Sequence, residues 1–398
     1  MNYLTNGYVK FSKWFQQNGW YLLMFLPLLD LAGRAVFNIV FYVFALFALV
    51  TVTVSWRLPK VQKGLFIALH LSILLSLLLT HNLFTLYQSW LKYAVETSAF
   101  FILLYYLRNN IISTQGVFNW LGGIGALTIV VTLTVMLIQW VLEPNIAFAV
   151  GKVNKDVLPW LVPFAIPWAY QQAKPQFRWV AVLALIVITL FVGIGTQGRT
   201  AILATILAAS VLFVMYFRIK LWRVALALLL IIGTVGVVMP NVMRGALDVP
   251  GAQVLDRLTS GRAVLWRQAI QHPPENPWVG IGFANKEGKA VVTYIGNEKV
   301  KHLHNFLMDC WYEIGYLGLS VFMLWMGYHW WLLLRMSRNG NDVEKKQAAI
   351  LCASIVAMMV EGMFAVSMNS RMFSVYLCLV FALATFMTAK QNPKVIEH

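Results

Sequence analysis

Charge is scarce in this chain. Only 12% of its 398 residues are Asp, Glu, Lys or Arg, while 60% are hydrophobic. Soluble domains carry about a quarter charged residues, so the deficit excludes an ordinary soluble globular protein. Acids are scarcer still, with 15 Asp and Glu against 31 Lys and Arg. Cysteine is nearly absent: Cys310, Cys352 and Cys378 all lie in apolar helical contexts, which excludes a disulfide framework and leaves packing as their role. The short alternating segments of an outer-membrane barrel are missing. So are a Gly-x4-Gly-Lys-Ser/Thr phosphate loop, an Asp-x-Asp pair and any His/Cys cluster, so neither ATP hydrolysis nor a metal centre has a motif to rest on. Internal repeats and low-complexity tracts are lacking as well.

What is present is a series of apolar runs of about 20 residues, the length of a membrane-crossing helix. Helices satisfy their own backbone groups in lipid, so the fold class expected is an all-α polytopic membrane protein. Hydropathy places about twelve spans, at 16–33, 35–55, 63–80, 86–107, 117–142, 157–173, 177–197, 200–217, 221–240, 303–334, 346–369 and 371–389. The expected organisation is a single membrane domain: helices one to nine over 1–240, a long loop over 241–302, and the last three helices over 303–398. Lys10 and Lys13 precede the first apolar run, which reads as an uncleaved helix because Asp30 would sit where a cleavage site needs a small residue. The sixth span carries Pro159, Pro163 and Pro167 and is expected to pack irregularly.

The net charge of +16 is mostly an orientation signal and calls for no nucleic acid. Lys60, Arg108, Arg178, Arg218, Arg338, Lys390 and others gather on one side, which becomes cytoplasmic together with both termini. The short loops on the other side hold only Arg34, Lys152, Lys155, Arg199 and Arg371. The long loop faces that outer side too and adds Arg244, Arg257, Arg262, Arg267, Lys286, Lys289, Lys299 and Lys301. Within it, residues 252–271 read as an amphipathic helix broken near Ser260-Gly261, with Ser260 as a cap for its second half. Lys92 lies inside a span one turn from Glu96, which suggests an internal pair.

Three constellations carry chemistry. Arg34, Arg199 and Arg371 each stand where a span begins, and topology has no use for them there. A guanidinium fork at a helix N-terminus suits a phosphate; snorkelling to lipid head groups is the plainer alternative. Arg262 and Arg267 could clamp a diphosphate, or lie on an interfacial amphipathic helix. The third is the opening of the tenth span, "HLHNFLMDCWYEIGYLGL" at 302–319. With a helix start near 303, Asn305, Asp309 and Glu313 share one stripe, and His304 sits at the membrane boundary as a candidate general base or as a structurally bonded histidine. Gly315 and Gly318 read as close-packing positions.

"QGRT" at 197–200, "SGRAVLWRQAI" and "PWVGIGF" in the long loop, and "HNFLMDCWYEIGYLGL" at the tenth span together resemble the O-antigen ligase and polymerase superfamily. The layout, with one large loop before the tenth span, is similar to its ligase branch. The resemblance implies a GT-C-type glycosyltransferase in the bacterial inner membrane, working on the periplasmic side without metal, ATP or another cofactor. It implies an undecaprenyl-diphosphate-linked glycan as donor, lipid A–core as acceptor and membrane lipid as surroundings. By motif, Arg199, Arg262 and His304 become the catalytic residues. Arg34, Arg267, Asn305, His302 and Arg371 are substrate-binding candidates, of which Arg34 and Arg371 rest on physical argument alone. An inverting displacement with His304 as base is expected, and a nucleophilic Asp309 or Glu313 is the lesser alternative. An O-antigen polymerase, a protein O-oligosaccharyltransferase and a transporter of lipid-linked sugar remain alternative readings.

Overall fold

The computed structural model describes residues 13–31, 36, 38–43, 45, 58–78, 83–142, 157–196, 198–227, 229, 261–285, 294–295, 298–299, 302–366 and 370–391. The principal helices are α1 (Trp20–Leu31), α2 (Lys60–Leu78), α3 (Leu83–Arg108), α4 (Thr114–Leu142), α5 (Leu158–Gln172), α6 (Arg178–Gly195), α7 (Arg199–Met215), α8 (Arg262–Gln271), α9 (Phe306–Asn339), α10 (Asp342–Phe364) and α11 (Arg371–Gln391). Among the described residues, the departure from all-helical structure is a two-residue antiparallel pairing, Tyr294–Ile295 with Glu298–Lys299, inside the long loop.

The protein is a multi-pass helical membrane protein. Six helices among the described residues are long and apolar enough to cross a bilayer: α2, α4, Pro175–Gly195, α9, α10 and Arg371–Lys390. α1 and α7 are apolar but shorter. The expected span 86–107 is the helix α3, whose Lys92 and Glu96 dilute its apolarity. Most of the expected spans 35–55 and 221–240, the first half of the amphipathic segment at 252–260 and Arg34 lie outside the described residues.

Among the six, α11 is the most buried, with 89% of its apolar window inside the protein, against 28% for Pro175–Gly195 at the periphery. α11 packs on α3, α9 and α10, and α10 packs on α7, α9 and α5. In lipid no hydrophobic gain separates a helix partner from an acyl chain, so small residues decide where helices touch. α10 buries Ala349, Ala353 and Ala357, and α7 buries Ala204 and Ala208. α5 passes so close to α4 that a Cβ on Gly122 would lie 2.4 Å from Trp168 Cβ. α5 keeps Pro163 and Pro167 inside the helix and buries nearly every face.

The tenth span differs from the expected single helix. It begins at Phe306 rather than near 303, with Asn305 as N-cap: Asn305 Oδ1 accepts from Leu307 N at 3.0 Å and Met308 N at 3.1 Å. It is then interrupted at Gly315, where φ is 66° and ψ −173°. The backbone groups released there are taken by the "PWVGIGF" segment. Ile281 N donates to Tyr312 O, and Gly282 N to Glu313 O, each at 3.0 Å. In the other direction Tyr316 N donates to Pro277 O at 2.9 Å and Leu317 N to Trp278 O at 3.2 Å. Every exposed donor or acceptor at such a break costs free energy in lipid unless paired, so the loop segment is what makes the break tolerable. The two backbones touch: a Cβ on Gly315 would lie 2.2 Å from Trp278 C, and one on Gly280 would lie 2.6 Å from Glu313 C.

Candidate active site

The candidate residues gather at one end of the bundle, where α7, α8, α9 and α11 begin and α10 ends. α6 closes with Thr196 Oγ1 bonded to Val192 O at 2.8 Å, and Gly198 N returns to Gly193 O at 2.7 Å. That tight reversal leaves Arg199 as the first residue of α7, exposed. Arg262 is likewise the first residue of α8. Its N-cap is Gly261 at φ 81°, a left-handed conformation natural to glycine. Gly261 offers no side-chain cap, and Ser260, the expected cap, lies outside the described residues.

Arg262 ties the elements together. Its Nη1 donates to Phe364 O, in the last turn of α10, and lies 3.5 Å from Thr200 Oγ1, beside Arg199 in the first turn of α7. α8 then docks on the start of α9 through Leu265 and Ala269, which pack with Leu303 and Tyr312. Trp266 Nε1 donates to Leu303 O at 2.9 Å, and Tyr312 Oη donates to His272 O at 2.6 Å. Phe306 at the start of α9 meets Phe373 at the start of α11, ring centroids 5.6 Å apart, and sits against Gly362 near the end of α10. Three helix N-termini with Arg199, Arg262 and the His304 turn therefore share one junction. Their dipoles add to the guanidinium charges in favouring an anion.

His304 stands just before the N-cap at φ 51°, a backbone conformation that costs a non-glycine residue about 1–3 kcal/mol. The preceding residue is pinned on both sides: Leu303 N donates to Asp309 Oδ1 at 3.2 Å while Leu303 O accepts from Trp266. The carboxylate of Asp309 is fully buried. His304 and His302 are both half-buried, with ring centroids 6.4 Å apart. Glu313, also buried, accepts from Ala284 N at 2.8 Å through Oε2, so it steadies the docked loop.

The remaining candidates are placed differently. Arg267 is exposed on α8 and its Nε reaches back to Ala263 O at 3.4 Å. Asn305 uses its carbonyl oxygen as the α9 cap. Arg371 is not a solitary loop cation: its Nε lies 3.3 Å from Glu96 Oε1, and its guanidinium stands over the Tyr42 ring at 5.1 Å. Tyr42 Oη donates to the same Glu96 oxygen at 3.2 Å. Glu96, the expected partner of Lys92, thus bonds Arg371 and Tyr42. Trp266, the Phe364 carbonyl and Thr200 were missed by sequence reasoning. Trp266 stands in the "SGRAVLWRQAI" motif, but nothing local reveals that its indole reaches Leu303. Among the described residues, no three His, Cys, Asp or Glu side chains are grouped to hold a metal ion.

Residues 181–323 match a family model whose description is O-antigen ligase. The matched stretch contains Arg199, Arg262, Arg267, His302, His304 and Asn305, and leaves Arg34 and Arg371 outside it. A comparison with curated proteins found no match.

Proposed function

We propose, from the match of residues 181–323 to a family model described as O-antigen ligase, that the chain transfers a glycan from undecaprenyl diphosphate to a sugar hydroxyl of lipid A–core. In this reading it works in the bacterial inner membrane, with both termini cytoplasmic and the junction of helix N-termini on the periplasmic side. The architecture proposed is of GT-C type, with 1–240 and 303–398 forming the membrane domain around the 241–302 loop. The observation that carries the reading is the Arg262 bridge: one guanidinium joins the start of α7 to the end of α10 while its helix holds the backbone beside His304.

The chemistry follows from the groups present. The acceptor hydroxyl oxygen attacks the anomeric carbon, the carbon–oxygen bond to the diphosphate breaks, and the hydroxyl proton passes to the His304 imidazole. Negative charge grows on the departing diphosphate. Arg199 and Arg262, backed by helix N-termini, are positioned to stabilise it, an electrostatic contribution worth roughly 100- to 1,000-fold per donor. Proton removal by His304 contributes about 100- to 10,000-fold. Direct displacement inverts the anomeric centre. A carboxylate nucleophile is disfavoured, because Asp309 and Glu313 are buried and accept backbone N–H groups of Leu303 and Ala284. Arg267 and His302 are proposed to border the substrate, while Arg371 is proposed to act through its contacts with Glu96 and Tyr42.

The test is transfer by purified protein between a defined lipid-linked donor and two alternative acceptors, lipid A–core and a second lipid-linked glycan. Product on lipid A–core supports a ligase. Product only on the second glycan would make the protein a polymerase. Arg199→Ala is expected to stay folded in the membrane and lose transfer to lipid A–core; wild-type transfer by that variant would remove the leaving-group role.

A further inference from the structure

A second polar site lies at the opposite end of the bundle, where α4 and α10 begin and α5 and α7 end. A cavity of about 170 Å³ opens there among Gln115, Gln171, Tyr216, Lys346 and Gln347. Its volume is room for on the order of ten waters. Its polar groups form two hydrogen-bonded sets. Gln171 Nε2 donates to Tyr216 Oη at 2.9 Å, which leaves the phenol its own proton to donate. Gln347 Nε2 donates to Gln115 Oε1 at 3.2 Å, and Gln115 Nε2 donates to Asn119 Oδ1 at 2.9 Å. The Lys346 ammonium stands over the Tyr216 ring at 5.7 Å.

The charge balance favours an anion. No Asp or Glu lines the cavity among the described residues. The acids nearest in sequence face other partners. Asp342 Oδ1 accepts from Arg218 at 2.8 Å, and Glu344 Oε2 accepts from Asn341 N at 2.9 Å in the cap of α10. Lys345, Lys174 and Arg178 belong to the same end of the bundle.

The cavity does not end in polar groups. Asn119 and Trp168 also line an adjoining groove of about 300 Å³ along α4, formed with Trp120, Gly123, Ile124 and Leu127. The absence of a side chain at Gly123 opens this groove: a Cβ there would lie 3.5 Å from the Trp168 ring. Trp120 and Leu127 are partly exposed on the surface of α4. A free phosphate needs the cavity alone, and the apolar groove would be idle beneath it. A polar, cationic pocket continuous with an apolar trough matches a molecule with an anionic head and a hydrocarbon chain.

We propose that this is a binding site for an anionic phospholipid, its phosphate held by Lys346, Tyr216 and Gln171 and one acyl chain lying in the groove beside Gly123 and Trp168. The site is separate from the glycan-transfer junction, and its existence does not depend on that assignment. The test is native mass spectrometry of the purified full chain in detergent, with equimolar phosphatidylglycerol and phosphatidylethanolamine. The expected result is retention of phosphatidylglycerol over phosphatidylethanolamine by about fivefold, the effect of one cation near an anionic head group. Lys346 is exposed, so Lys346→Gln leaves folding intact and is expected to abolish the preference. Gly123→Leu fills the groove and is expected to lower retention of both lipids. Inorganic phosphate at millimolar concentration is expected to displace neither. An unchanged preference in Lys346→Gln, or release of lipid by phosphate, would overturn the proposal.

Discussion

At the scale of single residues, Arg262 makes two contacts in different directions from one side chain, to the Phe364 carbonyl and toward the Thr200 hydroxyl. A planar guanidinium fork can do this and still present N–H groups to a phosphate, whereas a lysine ammonium is a single compact charge. Arg262→Lys is therefore expected to lower transfer by about 100-fold with the protein still in the membrane, measured as product formed per mole of purified enzyme. Trp266 acts at one remove. Its indole N–H holds the Leu303 carbonyl, and Leu303 precedes the strained His304. Trp266→Phe keeps the ring and removes the donor. A small displacement of a catalytic group costs about 10- to 100-fold, and here it should fall on kcat with KM unchanged; a change in KM alone would make Trp266 a substrate contact instead. Arg199, Arg262 and His304 were legible in the sequence because each belongs to a short motif at the start of a helix. Trp266 and the Phe364 carbonyl were not, because their roles exist only once α8 lies across the start of α9. The pairing of Arg371 with Glu96 was hidden for the same reason: the partners are in α11 and α3, and neither neighbourhood names the other.

At the scale of the element, the break in α9 is the feature that periodicity could not show. Residues 306–339 are mostly apolar and read as one helix, and Gly315 reads as one more packing glycine. The break requires a partner segment that donates and accepts in register, and that partner is "PWVGIGF", about thirty residues earlier in the chain. Both glycines at the contact have positive φ and no room for a Cβ. Gly315→Ala is expected to destabilise the protein by about 2–4 kcal/mol through strain and overpacking. Gly327 lies in the same helix with open space around its Cα. Gly327→Ala is expected to be neutral or to stabilise by about 0.5–1 kcal/mol. Thermal unfolding in detergent compares the two; equal effects would mean that the interlock contributes nothing. The helices themselves were read well from hydropathy, since α2, α4, α6, α10 and α11 fall close to their expected bounds. The start of α9 moved to Phe306 because Asn305 is a better N-cap than any residue before it.

At the scale of the whole molecule, the two ends of the bundle are chemically different. One gathers helix N-termini, two motif arginines and the His304 turn. The other holds Lys174, Arg178, Arg218, Lys345 and Lys346, of which Lys346 lines the second cavity. The bias of Lys and Arg toward that second end predicts that it faces the cytoplasm. Single cysteines placed at Arg199 and at Lys345, in a background lacking the three native ones, should react with an impermeant thiol reagent from opposite sides. Labelling of Lys345→Cys from the outside would invert the topology and with it the side on which transfer occurs. Glycan transfer at the junction of α7, α8 and α9 with His304 as base is the central proposal. The most direct measurement is the single-turnover rate of glycan transfer from a defined undecaprenyl-diphosphate donor to lipid A–core by wild type and His304→Ala. The wild type is expected to transfer glycan and the variant to lose about 100- to 10,000-fold with donor binding retained; equal rates in the two proteins would rule out His304 as the base.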